Sequence, residues 1–109
     1  MARIIQRFEI RLTNLNPTIG SEMQKTRPCL VISNTSMILS LDNVIIVPLT
    51  STIKAYPIRV PSTFLWISGE IALDHIRAVD KSRLIKKIGE LDEETSQEVC
   101  DLLQEMFAY

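Results

Sequence analysis

The sequence is poor in the residues from which metal and nucleotide sites are built. It contains one His and two Cys, and Cys29 and Cys100 have no metal-ligand spacing. Its three glycines do not form a Gly-rich phosphate loop. These absences exclude a zinc motif, a P-loop and a dinucleotide fingerprint, so we expect any catalysis to use neither a metal nor a cofactor. We interpret both cysteines as reduced, packed thiols.

Long apolar runs are also missing. The longest, such as Val44–Val47, fall far below the roughly 20 residues that span a bilayer. The N-terminal residues MARIIQRFEI alternate charged and apolar side chains and lack the apolar core and cleavage site of a secretory signal. With 46% hydrophobic and 23% charged residues, the 109-residue chain has ordinary globular composition. We therefore expect one domain over residues 1–109, in the cytoplasm, with no membrane partner.

Basic residues are absent from the end of the chain. Residues 90–109 contain seven acidic side chains and no Lys or Arg, whereas residues 1–89 contain all 12 Lys and Arg with six acidic side chains. A basic body favours polyanions through counterion release, and an acidic tail would repel them, so the two are expected to face different ways. The alternative is that both are solvated surfaces with no partner.

Short apolar segments separated by turn residues predict a β-rich fold. Strands are predicted over residues 4–12, 29–33, 43–49, 70–73, 76–79 and 84–88. In the first of these, charged residues alternate with apolar ones, so one face, which includes Arg11, is expected to be wet. Residues 56–67 are predicted to hold two short strand pieces, because Pro57 and Pro61 interrupt them. Thr35–Leu39 is predicted to form a helical turn, Ser68–Gly69 a turn, and residues 80–83 a turn or a single helical turn. Many short strands at close spacing indicate a small closed barrel or a sandwich.

The acidic tail is predicted to be a helix. Asp92 is placed to cap its N-terminus, and Glu93 and Glu94 in the first turn suit the helix dipole. Apolar side chains recur at helical spacing on one stripe, namely Val99, Leu102, Leu103, Met106 and Phe107. This helix is expected to pack on the β-sheet. A chain this short would also gain from dimerisation, which covers further apolar surface.

The most informative stretch begins at Asn14 and reads NLNPTIGSEMQKTRPCLVISN. Pro17 and Gly20 predict a tight, shaped loop. Pro28 pushes Arg27 out of the helical region and suits the first residue of a strand, so we expect Arg27 to be mounted on a loop with a stiff backbone. Arg presents a rigid fork of donors that matches phosphate oxygens. Arg27 is thus a candidate phosphate ligand, although by residue type alone a surface salt bridge is the commoner role.

The run LNPTIGSE, followed by KTRP and an apolar strand ending in Ser-Asn, resembles the MazF/PemK/Kid family of toxin endoribonucleases. The resemblance continues in VPLTS at residues 47–51, in YP at 56–57 and in LDHIRAVDKSRL at 73–84. It implies a mainly β (α+β) fold, a small SH3-like β-barrel of the MazF/CcdB type with a short helix after the second strand and a C-terminal helix. It also implies a homodimer that cleaves single-stranded mRNA at specific sequences, without a metal, by attack of a 2′-OH on the adjacent phosphate.

The resemblance also implies roles for individual residues. The Arg of the RP dipeptide and the Thr after the P-L strand form the family's catalytic pair, which here are Arg27 and Thr50. Glu22 is a candidate general base or a partner that orients Arg27, and without the resemblance it is a solvated loop carboxylate. Candidates for RNA binding are Lys25, Ser51, Asp74, His75, Arg77, Lys81 and Lys86. For these the alternatives are turn chemistry for the hydroxyl, an acid role for Asp74, a structural role for His75 and plain solvation for the cations.

The same resemblance implies a cognate antitoxin protein as partner, with DNA bound only through the toxin–antitoxin complex. The chain departs from the family in its first strand, where Phe8 stands in place of a Gly and Arg11 in place of an aromatic residue. This departure keeps an alternative open, a non-catalytic binding module on the same barrel that is either gyrase-poison-like or an inactive RNA-binding paralogue. The presence of Arg27 and Thr50 together favours the nuclease.

Overall fold

The computed structural model describes residues 4–16, 25–64 and 67–109. The strands within them are β1 (Glu9–Asn14), β2 (Thr26–Val31), β3 (Asn43–Thr50), β4 (Arg59–Phe64), β5 (Ile67–Ala72), β6 (Arg77–Asp80) and β7 (Leu84–Glu90). The helices are α1 (Thr35–Ser40) and α2 (Glu93–Met106). Single 3-10 turns occupy Leu73–His75 and Lys81–Arg83, the second of which confirms the turn predicted there.

The strands form one curled antiparallel sheet, a half-barrel, in the order β4-β5-β3-β2-β1-β7. β3 lies at its centre and pairs with β2. It also pairs with β6 over residues 43–46 and with β5 at Leu49 and Thr50. Pro48 lies where β3 changes partner from β6 to β5. The predicted mainly β fold, with a helix after the second strand and a C-terminal helix, is confirmed.

The central strands β2 and β3 are buried on both faces, which explains their nearly continuous apolar sequences. On one face, Leu30 and Val47 join a core that includes Val99 of α2. An adjacent residue in each strand points to the other face. There Val31 and Ile46 join a second core that includes Ile38 of α1. The two helices therefore cover opposite faces at the centre of the sheet.

Both predicted helices are confirmed, and so is the predicted cap of α2 at Asp92, whereas the cap of α1 at Asn34 was not predicted. The Asn34 side chain accepts the N–H of Met37 at 2.9 Å, and the Asp92 side chain accepts the N–H of Thr95 at 2.9 Å. The predicted apolar stripe of α2 packs on the core, except for Phe107, which follows the helix and is 68% exposed. Among the described residues, no helix has the length and apolar character needed to cross a membrane.

Two predictions near the prolines were wrong. Residues 59–64 form one strand, β4, and not two pieces. Pro61 is tolerated within it because β4 is the edge strand of the sheet, where a missing N–H costs no ladder bond. Ser68 and Gly69 lie inside β5 and not in a turn. Residues 65–66, between the two strands in the sequence, fall outside the described residues.

The first strand begins later than predicted, at Glu9, and its polar face is not wet. Glu9 and Arg11 are only 4% and 5% exposed, and they form an ion pair of 2.9 Å. The backbone N–H of Gln6 also donates to the Glu9 carboxylate at 2.9 Å. Because each charge has a partner, the pair can be buried beside Ile10 without an isolated charge in the interior.

Candidate active site

A cavity of about 310 Å³ opens where β2, β3, β4 and β5 meet. Its apolar walls come from Pro28, Leu49, Phe64 and Ile67, and its polar side chains from Arg27, Thr50, Ser51, Ser62 and Glu70. An apolar cavity with a few convergent polar groups is typical of a ligand-binding site. The two residues that the sequence motif singles out as catalytic, Arg27 and Thr50, both line this cavity.

Arg27 lies in a strand and not in a loop, which corrects the prediction made from Pro28. It is the second residue of β2 and pairs with Thr13 of β1, and Pro28 is the third residue and not the first. β2 pairs with β3 only over residues 29–31, so Pro28 lies where β2 has no ladder partner on that side among the described residues. Cys29 fixes the backbone further, since its thiol donates to the Arg27 carbonyl at 3.6 Å. The arginine is half-buried on a strand, which holds it more firmly than a loop would.

Thr50 is the last residue of β3 and is 8% exposed. Its hydroxyl oxygen accepts the backbone N–H of Thr52 at 3.1 Å. A hydroxyl that accepts one hydrogen bond still has its own hydrogen to donate. Thr50 is therefore placed to donate a hydrogen bond into the cavity, and the following residue, Ser51, adds an exposed hydroxyl at the same rim.

A buried charge network borders the cavity, and sequence reasoning missed it. Glu70 is 3% exposed and accepts the backbone N–H groups of Lys54 and Ala55 at 3.0 and 2.9 Å. Arg59 is 8% exposed and donates to Glu70 at 3.0 Å. Arg59 also binds both carboxylate oxygens of Asp74, at 2.6 and 3.1 Å. In the sequence, the only indication of this network is that Arg59 and Glu70, which carry opposite charges, each lie within a predicted strand segment.

Comparison with known proteins identifies the family. Residues 6–107 match the model of the family described as PemK-like, MazF-like toxin of type II toxin-antitoxin system. The chain belongs to this family. It is 33% identical to Endoribonuclease EndoA of Bacillus subtilis, with 93% of this chain and 92% of that protein covered. It is also 33% identical to Endoribonuclease MazF9 of Mycobacterium tuberculosis, with 79% and 81% covered.

The same family is found among solved structures. The crystal structure of MazF from Deinococcus radiodurans superposes with a TM-score of 0.85 at 26% identity, covering 99% of this chain and all of that one. The resemblance that the motifs carry is thereby confirmed, and these relatives favour an endoribonuclease over a non-catalytic module.

In this PemK/MazF chain, Asp74 and His75 lie in the 3-10 turn after β5. Although burial alone would raise it, hydrogen bonds from Arg59 hold the pKa of Asp74 below its ordinary value. Asp74 is therefore ionised at neutral pH with both oxygens bound, which suits an anchor better than a proton donor. His75 approaches it, with Nε2 3.5 Å from the carboxylate.

The basic candidates lie at different distances from the cavity. Lys25 is exposed two residues before Arg27, and Lys86 is exposed on β7 opposite Leu12, two strands away from Pro28. Lys81 follows β6 at the far end of β3, roughly 25 Å from Thr50 at about 3.3 Å per strand residue. Its ammonium donates to the Ile38 carbonyl. Lys81 is thus not brought to the cavity.

Arg77 contacts the backbone just after β1, where the predicted loop begins. Its guanidinium donates to the carbonyl of Leu15 at 3.4 Å, and Arg83, which was not predicted, donates to the carbonyls of Asn14 and Asn16. These contacts hold the backbone where the predicted loop begins. Pro17, Gly20 and Glu22, which are predicted to lie in this loop, fall outside the described residues, so the loop and the catalytic role of Glu22 stay predictions.

The two cysteines are unpaired thiols. Burial raises the pKa of Cys29 to about 12, so it carries no thiolate at neutral pH and is a packing residue. Cys100 is half-buried on α2, and its sulfur accepts a hydrogen bond from the Arg7 guanidinium at 3.5 Å.

Proposed function

We propose that this chain is the toxin of a type II toxin–antitoxin system and acts as a sequence-specific endoribonuclease on single-stranded RNA. The single observation that carries the proposal is the meeting of Arg27 and Thr50 at one cavity, on two strands held together by the sheet. The names of the two relatives as endoribonucleases support the same activity. The whole chain, residues 1–109, would be one toxin domain.

The proposed reaction is an internal transfer at one phosphate of the RNA. The 2′-oxygen forms a bond to phosphorus, the P–O5′ bond breaks, and the proton of the 2′-OH goes to a base while the leaving 5′-oxygen gains one. Arg27 stabilises the charge on the phosphorane with its planar fork, and Thr50 donates its hydroxyl hydrogen to a phosphate oxygen. Glu22 is the proposed base or the partner that orients Arg27.

Further contacts would hold the RNA on either side of the cavity. Lys25, Ser51, Asp74, His75, Arg77, Lys81 and Lys86 remain the candidates. Lys25 and Ser51 are supported best, because Lys25 is exposed close to Arg27 and Ser51 lines the cavity. The apolar walls suit an unstacked base, since single-stranded RNA is recognised through bases that are splayed out of the stack.

The decisive test is cleavage of a long unstructured RNA in the presence of EDTA. The expected products end in a 2′,3′-cyclic phosphate and a 5′-OH, and DNA of the same sequence resists because it has no 2′-OH to attack. Cleavage that requires a divalent metal would contradict the mechanism. A folded protein that binds RNA and cuts none would instead favour the binding module.

The proposed partners are a second copy of this chain, a cognate antitoxin protein and, only through the antitoxin complex, DNA. The homodimer is supported by apolar side chains left on the surface, namely Ile67 at the cavity and Ile53 at an adjoining groove, which are 59% and 58% exposed. The proposed location is the cytoplasm, where mRNA is found. Sedimentation at micromolar concentration is expected to show a dimer, and a stable monomer would contradict this part of the proposal.

A further inference from the structure

We infer that Glu70 and Arg59 are positioning residues that fix the Thr50 hydroxyl in its working orientation through the backbone of residues 51–55. This inference rests on the proposed function, because it names residues that support the same site. Neither residue is placed at the reacting phosphate. Their role would be to hold the segment that in turn holds Thr50.

The contacts form one continuous chain. Arg59 donates to Glu70 at 3.0 Å, and Glu70 accepts the backbone N–H groups of Lys54 and Ala55. Residues 51–55 then lead back to Thr50, where the N–H of Thr52 donates to the threonine hydroxyl at 3.1 Å. The hydrogen bond from Thr52 occupies one lone pair of the Thr50 hydroxyl oxygen. The position of residues 51–55 therefore sets the direction in which the hydroxyl hydrogen of Thr50 points.

Residues 51–56 have further backbone contacts towards the ends of the segment, where the N–H of Thr52 donates to the Thr50 hydroxyl and the Tyr56 carbonyl accepts the N–H of Arg59 at 2.9 Å. They are exposed, lie outside the strands, and pass through a left-handed conformation at Ala55, where φ is 55°. A residue with a Cβ holds such a conformation only where its surroundings impose it. The two N–H bonds to one buried carboxylate supply that constraint on either side of the Lys54–Ala55 peptide.

The carboxylate is itself held in place. It belongs to β5, where Glu70 pairs with Thr50 across the ladder, and Arg59 is fixed in turn by two bonds to Asp74. The guanidinium also lies 5.1 Å from the centre of the Tyr56 ring. With all these partners Glu70 is occupied as an acceptor, which makes it a scaffold for the site and not its base.

The test combines amide hydrogen exchange on the free protein with cleavage kinetics. Glu70→Gln keeps the shape of the side chain but has one acceptor oxygen in place of two, so at least one N–H loses its partner. The amides of Lys54 and Ala55 are expected to exchange at least about tenfold faster. The kcat is expected to fall by roughly 10- to 100-fold, with KM changed less than about twofold, because small misplacements of a catalytic group have effects of that order.

The double variant with Thr50→Val separates a positioning role from a general loss of stability. If Glu70 acts through the Thr50 hydroxyl, Glu70→Gln will lower kcat little further once that hydroxyl is gone. Arg59→Lys is expected to restore part of the activity that Arg59→Met removes, since an ammonium can keep one bond to Glu70.

The matched control is Glu9→Gln. Glu9 is also a buried carboxylate that binds one backbone N–H and one Arg, with Lys87 as a further partner at 3.4 Å, but it does not line the cavity. Its variant is expected to lower stability while leaving kcat and the exchange of Lys54 and Ala55 unchanged. Faster amide exchange in Glu70→Gln with an unchanged kcat, or kcat losses that multiply in the double variant, would overturn the inference and leave the proposed function standing. A parent protein that cuts no RNA would overturn both.

Discussion

At the scale of single residues, the proposed chemistry makes Arg27 the side chain whose loss matters most. Arg27→Ala is expected to lower kcat by about 10²–10³-fold, by analogy with the loss of one preorganised donor at a developing oxyanion. Arg27→Lys is expected to recover only part of this, because a point charge cannot replace a planar fork. Thr50→Val, which removes the hydroxyl, should cost less than Arg27→Ala. Single-turnover cleavage of a short RNA measures all three, with circular dichroism as the control for folding. Equal activity of a folded Arg27→Ala protein and the parent would reject the assignment.

The buried carboxylates make stability depend on pH in a stated direction. Although burial opposes it, the Gln6 N–H and the Arg11 guanidinium hold the pKa of Glu9 below its ordinary value of 4.5. The Lys54 N–H, together with the Ala55 N–H and Arg59, lowers the pKa of Glu70 against the opposing effect of burial. A group with a lowered folded-state pKa stabilises fully above its unfolded pKa and loses this stabilisation as the pH falls through the folded value.

The corresponding prediction concerns the difference between Glu9→Gln and the parent. The variant should be less stable at pH 7, and the gap should close as the pH falls below about 4.5, since the parent carboxylate becomes protonated as well. Urea unfolding at a series of pH values between 7 and 3 measures the gap. A difference that stays constant across this range would show that the charge of Glu9 contributes nothing.

Motifs located Arg27 and Thr50, but the partners of charged side chains could not be read from the sequence. Arg11 was expected on a wet strand face, because alternation of charged and apolar residues is typical of one, and its ion pair with Glu9 buries it instead. Phe8 departs from the family's Gly at a backbone φ of 68°, a conformation that glycine adopts without cost. The network of Arg59 joins residues 11 and 15 positions away, and nothing in the local pattern shows that these meet.

At the scale of elements, Gly69 allows β5 to approach β3 beside Thr50. A Cβ at this position would lie 2.2 Å from the Thr50 carbonyl oxygen, which is backbone and cannot turn away. Gly69→Ala is therefore expected to lower the free energy of unfolding by about 1–3 kcal/mol and to reduce kcat by displacing Thr50. Gly89→Ala is the control, since its Cβ would meet the Phe64 ring at 2.7 Å, a side chain that can shift. Urea unfolding and cleavage rates compare the two, and a larger effect at Gly89 would contradict the argument.

Strands and helices were predicted correctly from the sequence where the local sequence signals were strong. Apolar runs identified β2 and β3, and the cap at Asp92 together with the apolar stripe that follows it identified α2, because these signals are confined to neighbouring residues. Prolines misled the prediction of β4 and β2. Their tolerance in a strand depends on whether that stretch has a neighbour in the sheet, which is a property of the topology and not of the segment.

At the scale of the whole molecule, the C-terminal helix is acidic and the rest of the chain is basic. The charged side chains of α2, including Glu94, Glu98 and Asp101, are exposed, while the apolar stripe of the helix packs on the core. The overall arrangement followed from the resemblance carried by four motifs, since composition alone left a barrel and a sandwich open. What composition contributed was the charge asymmetry, which the family resemblance does not contain.

This asymmetry yields a prediction for RNA affinity. Lys25 is exposed beside the candidate site, so Lys25→Gln should weaken binding and reduce the slope of log K against log salt by about 0.7, the value for one phosphate contact on a single strand. Neutralising Glu94, Glu98 and Asp101 together should change affinity less than about twofold if the helix faces away from RNA.

Lys87→Gln is the matched basic control, because Lys87 already lies within 3.4 Å of Glu9 and 2.5 Å of Glu90 and should change the slope little. Binding is measured with an RNA that carries a 2′-deoxy nucleotide at the cleaved position, so that no cleavage occurs. A larger effect from the three acidic residues than from Lys25 would mean that α2 lies against the RNA, and the charge argument would fail.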